Sequence, residues 1–162
     1  MAAADEFAQA NQRYAASFSK GDLPMPPGRK VAVVACMDAR LDPARALGLE
    51  EGDAHVIRNA GGRVADALRS LIISQQLLGT REVVIVHHTD CGMVTFTDSQ
   101  LQDQVERNLG RRPDLAFYPF TDLDQSVRDD LQVVNSSPFL LKDTVARGFV
   151  YDVKSGTLRE VR

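Results

Sequence analysis

The 162-residue sequence predicts an α/β fold: a mostly parallel sheet of four strands plus an antiparallel edge strand, flanked by helices. Three observations predict it. Short apolar, β-branched runs recur at residues 30–36, 54–58 and 82–88, and helical spacing follows each of them. Two of the runs stay apolar to their tips and then end in chemistry, Cys36 with Asp38 and Arg40 in one, His88 with Cys91 in the other. Strands of that design are buried along their length and deliver polar groups to the carboxyl edge of a sheet, where α/β proteins keep their sites. Lastly, a strand over 147–153, a Ser155-Gly156 turn and a strand over 158–161 read as a closing hairpin.

Each element has its own signal. Residues 5–18 read as a helix because Phe7, Ala10, Tyr14 and Phe18 recur on one face, and Gly21 with the proline-rich stretch 23–28 cuts it off into an extended tether. An aromatic-faced helix on a stiff tether can pack back on its own domain or reach across to a neighbouring subunit, and pattern alone leaves both open. Lys30 to Cys36 is the first strand. Asp42 before Pro43 gives an N-cap and a proline at the first helical position, opening a short helix that Gly48 closes. Ala54 to Arg58 is the second strand, and residues 59–62 form a loop in which Gly61 and Gly62 permit backbone conformations or close approaches that a side chain would forbid. Leu68, Leu71, Ile72, Gln75 and Leu78 share a face of a helix over 64–78, with Gly79 as its left-handed cap. Glu82 to His88 is the third strand. Leu101, Val105 and Leu109 mark a helix ended by Gly110; Leu123, Val127, Leu131 and Val134 mark another started near Thr121; residues 111–119 between them are irregular, and Pro138 opens a short helical turn. With no internal repeat or low-complexity tract, residues 1–162 read as one domain, a helical arm over 1–22 and an α/β core over 23–162.

Composition excludes several classes. A net charge of −3 and a pI near 5.6, with Lys and Arg scattered, leave no footprint for nucleic acid. No apolar run approaches the ~20 residues that span a bilayer, and the amino terminus lacks a basic region followed by an apolar one, so a soluble, cytoplasmic protein is expected. In that compartment two cysteines 55 positions apart are more readily metal ligands than a disulfide.

If the first and third strands are neighbours and the second lies on the far side of the first, their carboxyl ends flank a topological switch point. Cys36 then stands beside His88 and Cys91. Two thiolates and an imidazole suit zinc rather than calcium or magnesium, and three protein ligands leave a fourth place free, the mark of a catalytic zinc. Water or the nearby Asp38 fills that place; a water there has its pKa lowered from ~15.7 to about neutral and becomes a hydroxide nucleophile. Asp38 could orient it, and Arg40 could clamp Asp38 in a charge-assisted pair that holds it off the metal.

Cys36-x-Asp38-x-Arg40, the segment 56–61 and His88-x-x-Cys91-Gly92, in this order and at these distances, resemble the β-class carbonic anhydrases, most closely the short bacterial members. The resemblance runs from about Met25 to the closing hairpin. It implies a zinc held by Cys36, His88 and Cys91, an Asp38/Arg40 dyad, with Asp38 as fourth ligand in a closed state, and reversible hydration of carbon dioxide to bicarbonate. It also implies a homo-oligomer, dimer or tetramer, whose amino-terminal helix lies on the partner subunit, which selects the intersubunit reading of residues 5–18. Members with a regulatory bicarbonate pocket use a tryptophan there, and this chain has none. Relatives hydrolyse carbonyl sulfide or carbon disulfide with the same ligand set, and the motifs do not separate those substrates. A non-catalytic zinc- or bicarbonate-binding module, with Asp38 permanently in the fourth place, is the remaining alternative.

Other residues near these motifs have plainer readings. Strand alternation turns His87 away from the face that His88 uses, so His87 is read as structural. His55 is read as a partly buried strand residue with a proton-shuttle role left open. Arg58, Asn59 and Gly61 are a loop packed against the site, to which the family resemblance adds an unassigned supporting role, and Asp90 is a turn residue.

Overall fold

The centre of the molecule is the first strand, β1 (Val31–Cys36), all six of whose residues are buried. A strand that is apolar on both faces needs cover on both, and it therefore takes an interior place in a parallel sheet. A computed structural model describing residues 2–162 places it so. The sheet runs β2 (Ala54–Asn59), β1, β3 (Glu82–His88), β4 (Val145–Tyr151), β5 (Leu158–Val161). The first four strands are parallel and β5 pairs antiparallel with β4, the mixed sheet that the sequence predicts.

Among the described residues, five α-helices accompany the sheet: α1 (Ala3–Ala16), α2 (Pro43–Leu47), α3 (Val64–Leu78), α4 (Asp98–Leu109) and α5 (Leu123–Ser136). Period-two alternation sorts the sheet residues. Ala32, Val34, Val83 and Ile85 pack with Val64, Ala67 and Leu71 of α3 and Val134 of α5. Val33, Ala35 and Val86 face the other way and pack with Leu41, Met93 and Phe120. The cluster on that second face includes both cysteines.

The elements differ from the sequence reading mostly at their ends. α1 occupies 3–16 rather than 5–18, because the N–H groups of Ser17 and Phe18 turn back onto the Tyr14 and Ala15 carbonyls and close the helix. α5 begins after Asp122, whose carboxylate accepts from the Gln125 N–H at 2.8 Å, so the cap is one residue later than Thr121. β4 ends at Tyr151, not 153. There the Asp152 carboxylate accepts from the N–H groups of Lys154 and Ser155, each at 2.8 Å, and builds a longer connection than a two-residue turn. Residues 138–139 form a turn and not a helical one. No residue of α1 is buried.

Candidate metal centre

β1 and β3 are adjacent and parallel, with β2 on the far side of β1, so their carboxyl ends open at the switch point. Cys36 is the last residue of β1, His88 the last of β3, and Cys91 follows one turn later. Their ligand atoms all lie within 4.8 Å of one another, and all three residues are buried. Both cysteines are free thiols. His88 Nδ1 contacts the Thr89 carbonyl oxygen at 2.7 Å, which makes it the donor and leaves Nε2 with a lone pair. That Nε2 is buried without a hydrogen-bond partner. An orphaned imidazole nitrogen facing two thiols is costly unless something accepts its lone pair, and a soft-to-borderline cation fits that demand.

The electrostatics set the two thiols apart, because the hydrogen bond they share, and burial, push the Cys91 thiol up in pKa. The hydrogen bond from the Cys91 thiol, helped by His88, holds the Cys36 thiol well below its ordinary pKa despite its burial. Asp38 is held well below the usual carboxylate range, chiefly by the Arg40 guanidinium and then by the Arg40 N–H. Arg40 grips both carboxylate oxygens, Nε to Oδ1 at 3.0 Å and Nη2 to Oδ2 at 2.8 Å, while its N–H reaches Oδ1 at 2.8 Å. Asp38 Oδ2 stands 3.7 Å from His88 Nε2.

The loop after β1 is fixed from β2. Arg58 donates to the Cys36 carbonyl through Nε (3.0 Å) and Nη2 (2.8 Å), and through Nη2 to the carbonyls of Asp38 and Leu41, each at 2.8 Å. Asn59 ties the next turn by accepting from the Arg63 N–H at 2.7 Å and donating to its carbonyl at 2.9 Å. Gly62, at φ +66°, lies directly against the backbone of β1 and β3. The cavity above the cluster holds about 220 Å³ and is walled by Met37, Ala60, Gly61, Gly92 and Met93. Its lining, ligands apart, is apolar except for Asp38.

The remaining sequence candidates fall into place by parity and register. His87 points to the α5 face, where Nδ1 meets Ser126 Oγ at 2.7 Å and Nε2 meets Asp130 Oδ2 at 3.0 Å. Its ring stacks on Phe120, which in turn lies beneath the Arg63 guanidinium. His55 pairs in register with Ala32, whereas Asn59 pairs with Cys36, so His55 stands four residues back from the site and its Nδ1 meets Ser74 Oγ at 2.7 Å. Two contributions are larger than the sequence reading made them. One is the Arg58 fork. The other is Asp90, which does form a turn, at φ +54°, but also meets Arg40 with its carboxylate and its carbonyl. An acidic residue between two ligands, with an arginine in the facing loop, was the available signal.

A sequence-family profile described as "Carbonic anhydrase" matches residues 31–115. The chain is 51% identical over 162 residues to beta-carbonic anhydrase 1 of Mycobacterium tuberculosis, with 99% of each chain covered. A crystal structure of carbonic anhydrase from Streptococcus mutans superposes with a TM-score of 0.95 at 48% identity, covering 100% of this chain and 99% of that one. A carbon disulfide hydrolase of Acidithiobacillus thiooxidans is 33% identical, covering 83% of this chain and 78% of the relative.

Proposed function

The chain belongs to the β-carbonic anhydrase family of enzymes, and from that premise we propose that it catalyses the reversible hydration of carbon dioxide to bicarbonate and a proton, with zinc held by Cys36, His88 and Cys91. The observation that carries this reading is the buried, unpartnered His88 Nε2 facing two thiols, with a carboxylate beside it that an arginine holds back. Zinc bound there supplies the Lewis acidity that makes a water nucleophilic near neutral pH.

This chain's own residues do the rest. The two sulfurs and the imidazole fix the ion, and the His88–Thr89 hydrogen bond sets the imidazole tautomer. Asp38 stays ionised because Arg40 stabilises its charge, so it can only accept a hydrogen bond; it takes one from the attacking water and aims the oxygen lone pair into the cavity. The apolar walls of Met37, Ala60 and Met93 favour a small uncharged molecule over water, and an anionic product is better solvated outside them. Arg40 keeps Asp38 from becoming a fourth ligand, which speaks for catalysis over a non-catalytic zinc- or bicarbonate-binding module.

The enzyme works as a homo-oligomer. Phe7, Tyr14 and Phe18 of the amino-terminal arm are exposed, and the sheet face opposite α3 carries an open cavity of about 270 Å³ whose apolar floor includes Val31, Val33, Val84 and Phe149 and whose lining also takes in Arg29, Glu82 and Arg147. A second copy's α1 seated on such a face would bury both surfaces. No helix among the described residues is long and apolar enough to cross a membrane, and two free thiols beside one another suit a reducing compartment, so the cytoplasm is its place.

Likeness to a carbon disulfide hydrolase gives a second substrate reading, since the same ligands can serve carbon disulfide or carbonyl sulfide. Stopped-flow carbon dioxide hydration, run beside sulfide release on one preparation, tests both. Hydration that disappears with a chelator and returns with zinc is expected. Sulfide release without hydration would transfer the assignment to the hydrolase.

A further inference from the structure

Arg40 has five N–H donors, and four of them are engaged by two aspartates in different loops. One edge of the guanidinium, Nε and Nη2, holds the Asp38 carboxylate. The other edge turns to Asp90: Nη1 donates to Asp90 Oδ2 at 2.7 Å and Nη2 to the Asp90 carbonyl at 2.9 Å. Asp90 sits inside the loop between His88 and Cys91, with φ +54°, a left-handed conformation that non-glycine residues adopt at a cost and that Asp tolerates better than most. In it, both the carbonyl and the carboxylate of one residue reach the same guanidinium.

The second anchor matters because the first cannot fix Arg40 alone. Arg40 and Asp38 are two residues apart on an exposed loop, and the Arg40 side chain is 46% exposed. An arginine held only by its neighbour can swing with it, and such a pair in solvent constrains little. If it swung, Asp38 Oδ2, 3.7 Å from His88 Nε2, could move onto the metal while keeping its arginine. Anchored on the opposite loop, the guanidinium becomes a fixed post, and Asp38 must break a bidentate pair to leave it. We infer that Asp90 is a positioning residue, whose grip on Arg40 from the metal-ligand loop keeps Asp38 out of the fourth coordination place. This rests on the zinc reading of the site.

Cobalt(II) in place of zinc reports the fourth ligand through its visible absorption, and azide titration reports how freely that place can be taken. In Asp90→Ala, one cobalt per chain is retained while azide affinity falls about three- to tenfold, the worth of the one charged hydrogen bond that the carboxylate makes near the surface. The absorption shifts as carboxylate oxygen replaces solvent. Asp90→Asn, which keeps an uncharged side-chain acceptor where alanine keeps only the main-chain carbonyl, falls between Asp90→Ala and the parent. In an Arg40→Ala background, Asp90→Ala adds nothing further. Spectra and azide affinities in both Asp90 variants equal to the parent overturn the inference. So does loss of cobalt from Asp90→Ala with an unchanged Asp90→Asn, which would make Asp90 a folding residue only. A parent chain that binds cobalt without hydrating carbon dioxide removes the proposed activity and leaves the Asp90 comparison readable; a parent that binds none overturns both.

Discussion

Replacing Gly62 by alanine should destabilise the protein through the same backbone that carries Cys36. A Cβ at position 62 would lie 2.8 Å from the Cys36 nitrogen, 2.9 Å from the Ala35 carbonyl carbon and 3.1 Å from the Val86 carbonyl oxygen. All three are main-chain atoms of β1 and β3, the two strands paired in parallel at the heart of the sheet, and none can rotate aside. Forcing them apart costs about 1–3 kcal/mol as overpacking, and holding alanine at φ +66° adds about 1–2 kcal/mol. The total, roughly 2–5 kcal/mol, is a large part of the ~5–15 kcal/mol that keeps a domain folded. Gly79→Ala is the control: φ is +76° there, but nothing lies within 4 Å of the added carbon, so only the conformational cost of about 1–2 kcal/mol applies. Urea unfolding at fixed protein concentration reads the difference. With a slope of about 1.5 kcal/mol/M, the Gly62→Ala midpoint drops by roughly 1.3–3.3 M and that of Gly79→Ala by roughly 0.7–1.3 M. A Gly62→Ala midpoint equal to that of Gly79→Ala would refute the argument that close approach to the strands sets the cost.

Arg58→Lys leaves a positive charge but loses the fork that serves three carbonyls at once, so zinc affinity measured against a competing chelator should fall by about 10–100-fold while the fold survives; unchanged affinity would remove Arg58 from the site's support. Asp124 is bridged to Arg159 at 2.7 Å and its pKa is lowered, first by that hydrogen bond. The folded-state value therefore lies below the unfolded ~3.9, so the bridge stabilises above about pH 4 and is lost as pH falls below it. Asp124→Asn, with the partner exposed, should cost at most about 1 kcal/mol at pH 7 and progressively less as the pH is lowered below about 4, which paired urea titrations would show. Changing Phe7 and Phe18 to serine should shift the particle toward monomer in light scattering, because the arm has no buried residue of its own to hold it; an unchanged mass would place the subunit contact elsewhere.

The features legible in the sequence were those that depend on local pattern. β1 and β3 were legible because an unbroken apolar run has few homes other than the middle of a parallel sheet. From their order came the neighbouring tips of Cys36 and His88, and parity alone separated His87 from His88. Strand and helix ends were less legible: β4 stops at Tyr151 because the Asp152 side chain, and not a glycine turn, organises the connection to β5. The partners of the supporting side chains were not legible for a different reason. Arg40 meets Asp90 across 50 residues and Arg58 meets the Cys36 carbonyl across 22, and long flexible side chains leave no periodic trace of where they reach.

The central claim is that two sulfurs and one imidazole nitrogen hold a single ion with a place left for solvent. X-ray absorption at the zinc edge of the purified protein tests it most directly. The account predicts one zinc per chain with two sulfur neighbours, one histidine nitrogen and one further light atom, and loss of one sulfur from that shell in any Cys91→Ser protein that still binds metal. Zinc with no sulfur in its shell, or a shell unchanged in Cys91→Ser, would contradict it.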